Sequence, residues 1–191
     1  MSEPSLPEKI VAIHEQLTRT KTPHAFGGAL ALAYYAEPRA TIDVDLNLFI
    51  APSSYPDVER DLAKIGIGGG VEPEIVERDG QCRLRWGNTP IDLFFAYDAL
   101  HDAMRRAIRS EPFGETRIPV LAPEHLLVCK AIFNRPKDWL DIEQMLVCVE
   151  ELDVEEVRAW LDRIAGADDP RGERFDRLVE DSSAGSSALR T

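Results

Sequence analysis

The chain has 191 residues, 44% of them hydrophobic and 29% charged, with a mean hydropathy of −0.23 and a formal net charge of −12. That length and apolar content suit one domain, or one domain with a helical appendage, and allow a sizeable core. The acidic balance repels a phosphate backbone and argues against broad non-specific nucleic-acid binding, leaving local basic patches as the route to RNA or nucleotide.

Residues 5–20 carry Ile10, Val11, Ile13, His14 and Leu17 near helical spacing, which predicts a packing helix with His14 in its stripe. His24 to Phe26 then forms a short strand leading into Gly27-Gly28. The small apolar run Ala29–Tyr35 predicts a helix that packs closely on a sheet and ends before Pro38. Arg39 and Thr41 precede a strand with Asp43 and Asp45. After Ile50 come a loop and a helix, with Ser53 or Ser54 as N-cap. The glycine-rich run at 65–70 lacks the Gly-Lys-Ser/Thr ending of a P-loop, which excludes that kind of ATPase and leaves a flexible connection.

Residues 74–96 read as three strands. Asp79-Gly80 and Gly87-Asn88 are the turn signals between them. In Gln81–Trp86, Cys82, Leu84 and Trp86 alternate with Arg83 and Arg85. Asp92 is an acid inside an apolar strand, costly unless it has a partner. Ala99 to Arg109 predicts a helix with Arg105, Arg106 and Arg109 mostly on one side, either a solvated basic face or a docking surface for a polyanion or the triphosphate, and Thr116 to Leu121 a last strand. From Ala122 the chain turns helical, over His125–Phe133, Lys137–Glu150, Val154–Ile164 and Arg174–Val179. The divisions expected are an α/β part over 1–121, a helical part over 122–180 and a disordered tail over 181–191.

The chemistry concentrates between His24 and Ile50. On a strand, residues i and i+2 share a face. Asp43, Asp45 and Asn47 thus share one face and Ile42, Val44, Leu46 and Leu48 the other. The two carboxylates lie roughly 6–7 Å apart at Cα and repel unless a cation sits between them, for which Mg²⁺ suits hard oxygen ligands. Gly27 and Gly28 stand where a strand hands over to a helix, so a phosphate can approach the backbone there. Arg39 is either a neutralising salt bridge near the acidic face or a phosphate clamp. Lys130 sits in an apolar helix, where a buried ammonium needs a partner or must snorkel out. Lys137 adds a cation that can reach a phosphate, while the helix dipole accounts for Asp138 and Asp141.

A Gly-Gly turn, a spacer helix and the run Arg39, Thr41, Asp43, Asp45, Leu46 resemble the DNA polymerase beta-like nucleotidyltransferases. The likeness is strongest to the AbiEii-type toxins of type IV toxin–antitoxin systems. It implies an α+β fold, a mixed sheet with helices on one side followed by a C-terminal helical part. It also implies that Asp92 is a third carboxylate and that Asp43, Asp45 and Asp92 hold one or two Mg²⁺ ions and carry catalysis. Gly27, Gly28, Arg39, Thr41, Lys130 and Lys137 would then bind nucleotide phosphates. The implied reaction moves a nucleoside monophosphate from an NTP to a hydroxyl and releases pyrophosphate. The acceptor stays open among an RNA 3′ end, a protein hydroxyl and a small molecule such as an aminoglycoside. An antitoxin is the implied protein partner, and a non-catalytic binding protein of the same fold is the alternative.

Cys82, Cys129 and Cys148 form no CxxC, and the four histidines show no metal-binding spacing, which suits a reducing compartment. The first ten residues lack a basic n-region and a long apolar run, so no signal peptide is expected. No stretch approaches the ~18–20 apolar residues that span a bilayer. The expected location is the cytoplasm.

Overall fold

The computed structural model describes residues 3–188. The helices are α1 (Leu6–Arg19), α2 (Gly28–Leu32), α3 (Tyr55–Ala63), α4 (Pro73–Asp79), α5 (Ala99–Arg106), α6 (Pro123–Phe133), α7 (Pro136–Cys148), α8 (Val154–Ala165) and α9 (Pro170–Ala188). The strands are β1 (His24–Phe26), β2 (Val44–Leu48), β3 (Gln81–Trp86), β4 (Thr89–Phe95), β5 (Arg109–Phe113) and β6 (Thr116–Val120). The chain divides into two compact units, residues 3–30 with 40–121, and residues 31–39 with 122–188. The segment 31–39 thus clusters with the helical unit, although it interrupts the first one in sequence.

The first unit is built on a six-stranded sheet in the order β3-β4-β2-β1-β6-β5. Strands β2 and β4 run parallel, as do β1 and β6, while the other neighbours are antiparallel, so the sheet is mixed as the family resemblance implies. One face is apolar: Phe26, Leu46, Leu48, Leu84, Ile91, Leu93 and Phe95 are fully buried. Helix α3 meets that face where Tyr55 packs edge-on against Phe95, with ring centroids 6.1 Å apart. Helix α1 meets it through His14 and His24, whose Nδ1 and Nε2 lie 3.0 Å apart. The serine at the start of α1 is the N-cap of a capping box with Glu8.

Several expectations required correction. Residues 74–78 are not a strand but part of α4, and Asp79-Gly80 is no hairpin turn. Pro73 at the first turn, Glu74 near the N-terminus and Arg78 near the C-terminus all favour a helix, and Gly80 closes it at φ 66°. A left-handed glycine serves a helix end and a type I′ turn equally, so the dipeptide did not discriminate. Arg109–Phe113 form a strand, β5, where the sequence pattern predicts none, and α5 ends at Arg106 instead of running to Arg109. The β5 sequence RSEPF has no apolar alternation because it is an edge strand, where Pro112 is tolerated. Within 65–70, Ile67 is buried and Gly68 bridges to Arg85, so the run extends the sheet edge. Ile42 is 69% exposed, because β2 begins only at Val44. Ser54 occupies the N-cap position of α3, but its side chain makes no cap bond.

In the second unit, α6 to α9 surround Leu127, Val128, Trp139, Ile142, Met145, Val157, Leu161 and Phe175. Asn134 ends α6 at φ 57° and its side-chain oxygen accepts from Trp139 Nε1 at 2.7 Å. The guanidinium of Arg174 stacks on Trp139 at 4.3 Å from the ring centroid. Helix α9 takes in residues 181–188, for which composition suggested disorder, and 189–191 lie outside the described residues.

The histidine pair sets a pH dependence. The Thr22 carbonyl can only accept, so His24 Nδ1 donates to it at 2.8 Å, and Nε2 is left to accept from His14. Burial pushes the His24 imidazole down to about 4, against the opposing Thr22 bond and with His14 adding repulsion. The unfolded chain protonates this ring near pH 6.5. It therefore binds more protons than the folded chain between the two values. Stability falls as pH drops from about 6.5 towards 4, by up to about 3 kcal/mol from this ring. Urea unfolding at pH 7 and pH 4 should show a loss smaller by about that amount in His24→Gln, and an unchanged pH slope would overturn the assignment.

Candidate active site

The polar face of the sheet carries a row of four residues at one level. Arg83 on β3 is the register partner of Asp92 on β4, and Asp92 is the register partner of Asp45 on β2. Gly27, just past β1, donates its N–H to the Asp45 carbonyl at 2.9 Å. Sheet topology thus brings together residues 27, 45, 83 and 92. Asp43 stands two residues before Asp45 but precedes the strand. Its N–H donates to Thr41 Oγ1 at 3.2 Å, so Thr41 orders the approach to β2. Asn47, on the acidic face as expected, is buried opposite Ala25.

Side-by-side acids in register repel, and Arg83 answers that repulsion. Its Nε and Nη2 donate to the two oxygens of Asp92 at 2.6 and 2.7 Å. The hydrogen bond and charge of Asp92 hold its guanidinium well above the ordinary arginine range, with smaller contributions from Asp43 and Asp45. Sequence pattern placed Arg83 on the polar face but did not single it out. The signal was present, since counting back through the Gly87-Asn88 hairpin sets Arg83 opposite Asp92.

Gly28 has φ +55°, and a Cβ there would stand 1.7 Å from Asp45 Oδ2. The missing side chain makes room for the Asp45 carboxylate. Helix α2 has five residues, shorter than the Ala29–Tyr35 expectation. A Cβ on Gly27 would stand 2.8 Å from Asn47 Nδ2.

The predicted cations Arg39, Lys130 and Lys137 belong to the second unit. Lys130 is 4% exposed and does not snorkel; its ammonium donates to Asp141 Oδ2 at 2.6 Å. Arg39 donates to both oxygens of the same carboxylate at 3.2 Å, so of its two readings the salt bridge is present, with Asp141 as partner. Asp141 is therefore a shared acceptor, a role beyond the helix-dipole account. Two cations on one carboxylate leave one positive charge over. Asp138 instead caps α7, accepting from the Arg135 backbone N–H at 3.1 Å and from its guanidinium. Lys137 is exposed.

Among the described residues no group of three His, Cys, Asp or Glu side chains is gathered closely enough to hold a metal ion. The carboxylates nevertheless fit a hard divalent cation in donor type, and one of them already holds a cation, the Arg83 guanidinium.

Comparison with known proteins identifies the family and the fold. Residues 16–184 match the family model described as nucleotidyl transferase AbiEii toxin, type IV TA system. The chain belongs to the AbiEii nucleotidyltransferase family. It is an enzyme of nucleotidyl transfer and falls within a toxin–antitoxin family. Solved structures share the AbiEii chain's fold at low identity. The antibiotic-resistance factor ANT(2'')-Ia matches at TM-score 0.57 and 14% identity, over 99% of this chain and 97% of that one. A nucleotidyltransferase-like protein from Paracoccidioides brasiliensis matches at 0.55 and 15%, over 97% and 92%. The lincosamide adenylyltransferase LnuA matches at 0.55 and 12%, over 75% and 98%. No curated protein compared with the chain matches it. No helix among the described residues is long and apolar enough to cross a membrane.

A pair of glycine substitutions and the removal of the Asp141 carboxylate check this geometry. Gly114→Ala places a Cβ in open space at φ +58°, so it reports the backbone cost alone, about 1 kcal/mol. Gly28→Ala has the same backbone cost plus the clash with Asp45, about 2–4 kcal/mol in all; equal losses in urea titrations would show that Asp45 moves freely. Asp141→Ala strands the buried Lys130 ammonium and should cost about 3–5 kcal/mol, with most of it recovered in Lys130→Met/Asp141→Leu. A double variant no more stable than the single one would show that Lys130 does not need this partner.

Proposed function

We propose that this AbiEii-family enzyme is a Mg²⁺-dependent nucleotidyltransferase that moves a nucleoside monophosphate from an NTP to a hydroxyl acceptor, as one component of a type IV toxin–antitoxin pair. The observation that carries the reading is the lateral pair Asp45–Asp92 beside Gly27-Gly28.

Asp43, Asp45 and Asp92 would hold the magnesium, which when bound offsets triphosphate charge and polarises the phosphoryl group. The roles of this chain's own residues follow from their chemistry. The resemblance assigns the triphosphate to the backbone of the Gly27-Gly28 turn, where the Asp45 carboxylate fills the space beside Gly28. Asp92 takes the proton of the acceptor hydroxyl, whose oxygen bonds to the α-phosphorus as the bond to the β-phosphate oxygen breaks. Pyrophosphate leaves with that electron pair. Within the second unit, Lys130 and Arg39 share the Asp141 carboxylate, and the family resemblance assigns both to phosphate binding. Thr41 holds the backbone ahead of Asp43, and Lys137 offers a further cation.

Charge separates the three acceptor classes. A tRNA acceptor must approach a chain of net charge −12 through local basic patches, and its labelling should fall steeply with salt. An aminoglycoside is cationic and drawn by the same overall charge. A protein hydroxyl should show weaker salt dependence than tRNA.

The test incubates the protein with each α-labelled NTP, Mg²⁺ and one acceptor at a time from these three classes. Label should pass to one class, and Asp45→Asn should reduce transfer by about 100-fold or more. A folded protein that binds no NTP would sink the reading.

A further inference from the structure

The acidic row has a cation built into the chain. Arg83 spans both oxygens of Asp92, the lone pairs that a divalent metal would also need. The guanidinium lies on the solvent side, 55% exposed against 17% for Asp92, so it can swing away without unpacking the sheet. Arg85, the next residue on the same polar side of β3, lies opposite Pro90 and not opposite an acid. The bidentate contact is therefore a property of one register position and not of a generally basic strand.

We propose that Arg83 is the resident counter-ion of the acidic site and that it competes with the divalent metal for Asp92. Metal enters as the guanidinium leaves, so Arg83 weakens the site for free metal while keeping the in-register acids from repelling each other when no metal is bound. This rests on the reading of Asp45 and Asp92 as metal-holding residues.

The experiment measures Mn²⁺ binding to the whole chain from the free-ion electron paramagnetic resonance signal, with no nucleotide and no turnover. Circular dichroism confirms that each variant is folded. Arg83→Gln should bind Mn²⁺ about five- to tenfold more tightly than the unaltered chain, the factor expected for losing a charged hydrogen-bonded competitor. Arg83→Lys keeps the charge but loses the two-pronged contact and should fall between them. Arg85→Gln removes an equal charge nearby and should change affinity by less than about twofold. In Arg83→Gln/Asp92→Asn the gain should vanish. An Arg83→Gln affinity equal to or below that of the unaltered chain overturns the proposal, as does an Arg85→Gln gain of the same size. In both cases Mn²⁺ binding that depends on Asp92 leaves the metal reading standing. Failure of every variant to bind millimolar Mn²⁺ overturns both.

Discussion

Two carboxylates held side by side on parallel strands form the constraint on which the first unit depends. Asp45 and Asp92 are register partners one strand spacing apart, roughly 4.8 Å at Cα. At an effective dielectric near 20, two unit charges at that range repel by on the order of 3 kcal/mol. A cation beside such a pair offsets the repulsion. Here Arg83 does so from the third strand of the same row. Because β1 follows β2 in the sheet, the Gly27-Gly28 turn lands on the other flank of the pair. One strand order therefore sets Arg83 beside Asp92 and the Gly27-Gly28 turn beside Asp45.

The second unit meets the same problem with the sign reversed. Lys130 is a cation buried on α6, and its partner is supplied eleven residues later on α7. Arg39, from the short segment that interrupts the first unit in sequence, binds the same carboxylate. Such a pair contributes little net stability, because removing both charges from water costs about as much as their attraction returns.

Reading the sequence went furthest where one residue type had one physical meaning. The acidic strand, the Gly-Gly handover, the Gly87-Asn88 hairpin and the helical C-terminal part were all legible, since alternation and turn chemistry are local. The failures had a common cause: signals that local chemistry shares between two structures. Asp79-Gly80 closes α4 with the same left-handed glycine that a hairpin would use. Strand β5 carries no apolar alternation because its pairing to β6 alone places it in the sheet. Partners set by long-range packing were invisible in the same way. The demand of Lys130 for a carboxylate could be stated from sequence, but Asp141 could be named only once α6 and α7 were packed. Arg83 lay within reach, because its opposition to Asp92 follows from a hairpin the sequence did reveal.

The acidic face is tolerable because the other face of the same strands is apolar. Along β2, Val44, Leu46 and Leu48 are almost wholly buried, each contributing about 1.5–3 kcal/mol relative to exposure. Even discounted for a compact unfolded state, that sum exceeds the repulsion of the acid pair. The alternation that points Val44, Leu46 and Leu48 inward is the same one that turns Asp45 outward, so the stabilising and the reactive residues of β2 come from one pattern. A one-residue slip of register would bury the acid and expose the three apolar side chains. The apolar face therefore holds the strand in the one register that sets Asp45 beside Asp92, and the placement of the acids follows from the burial of their neighbours.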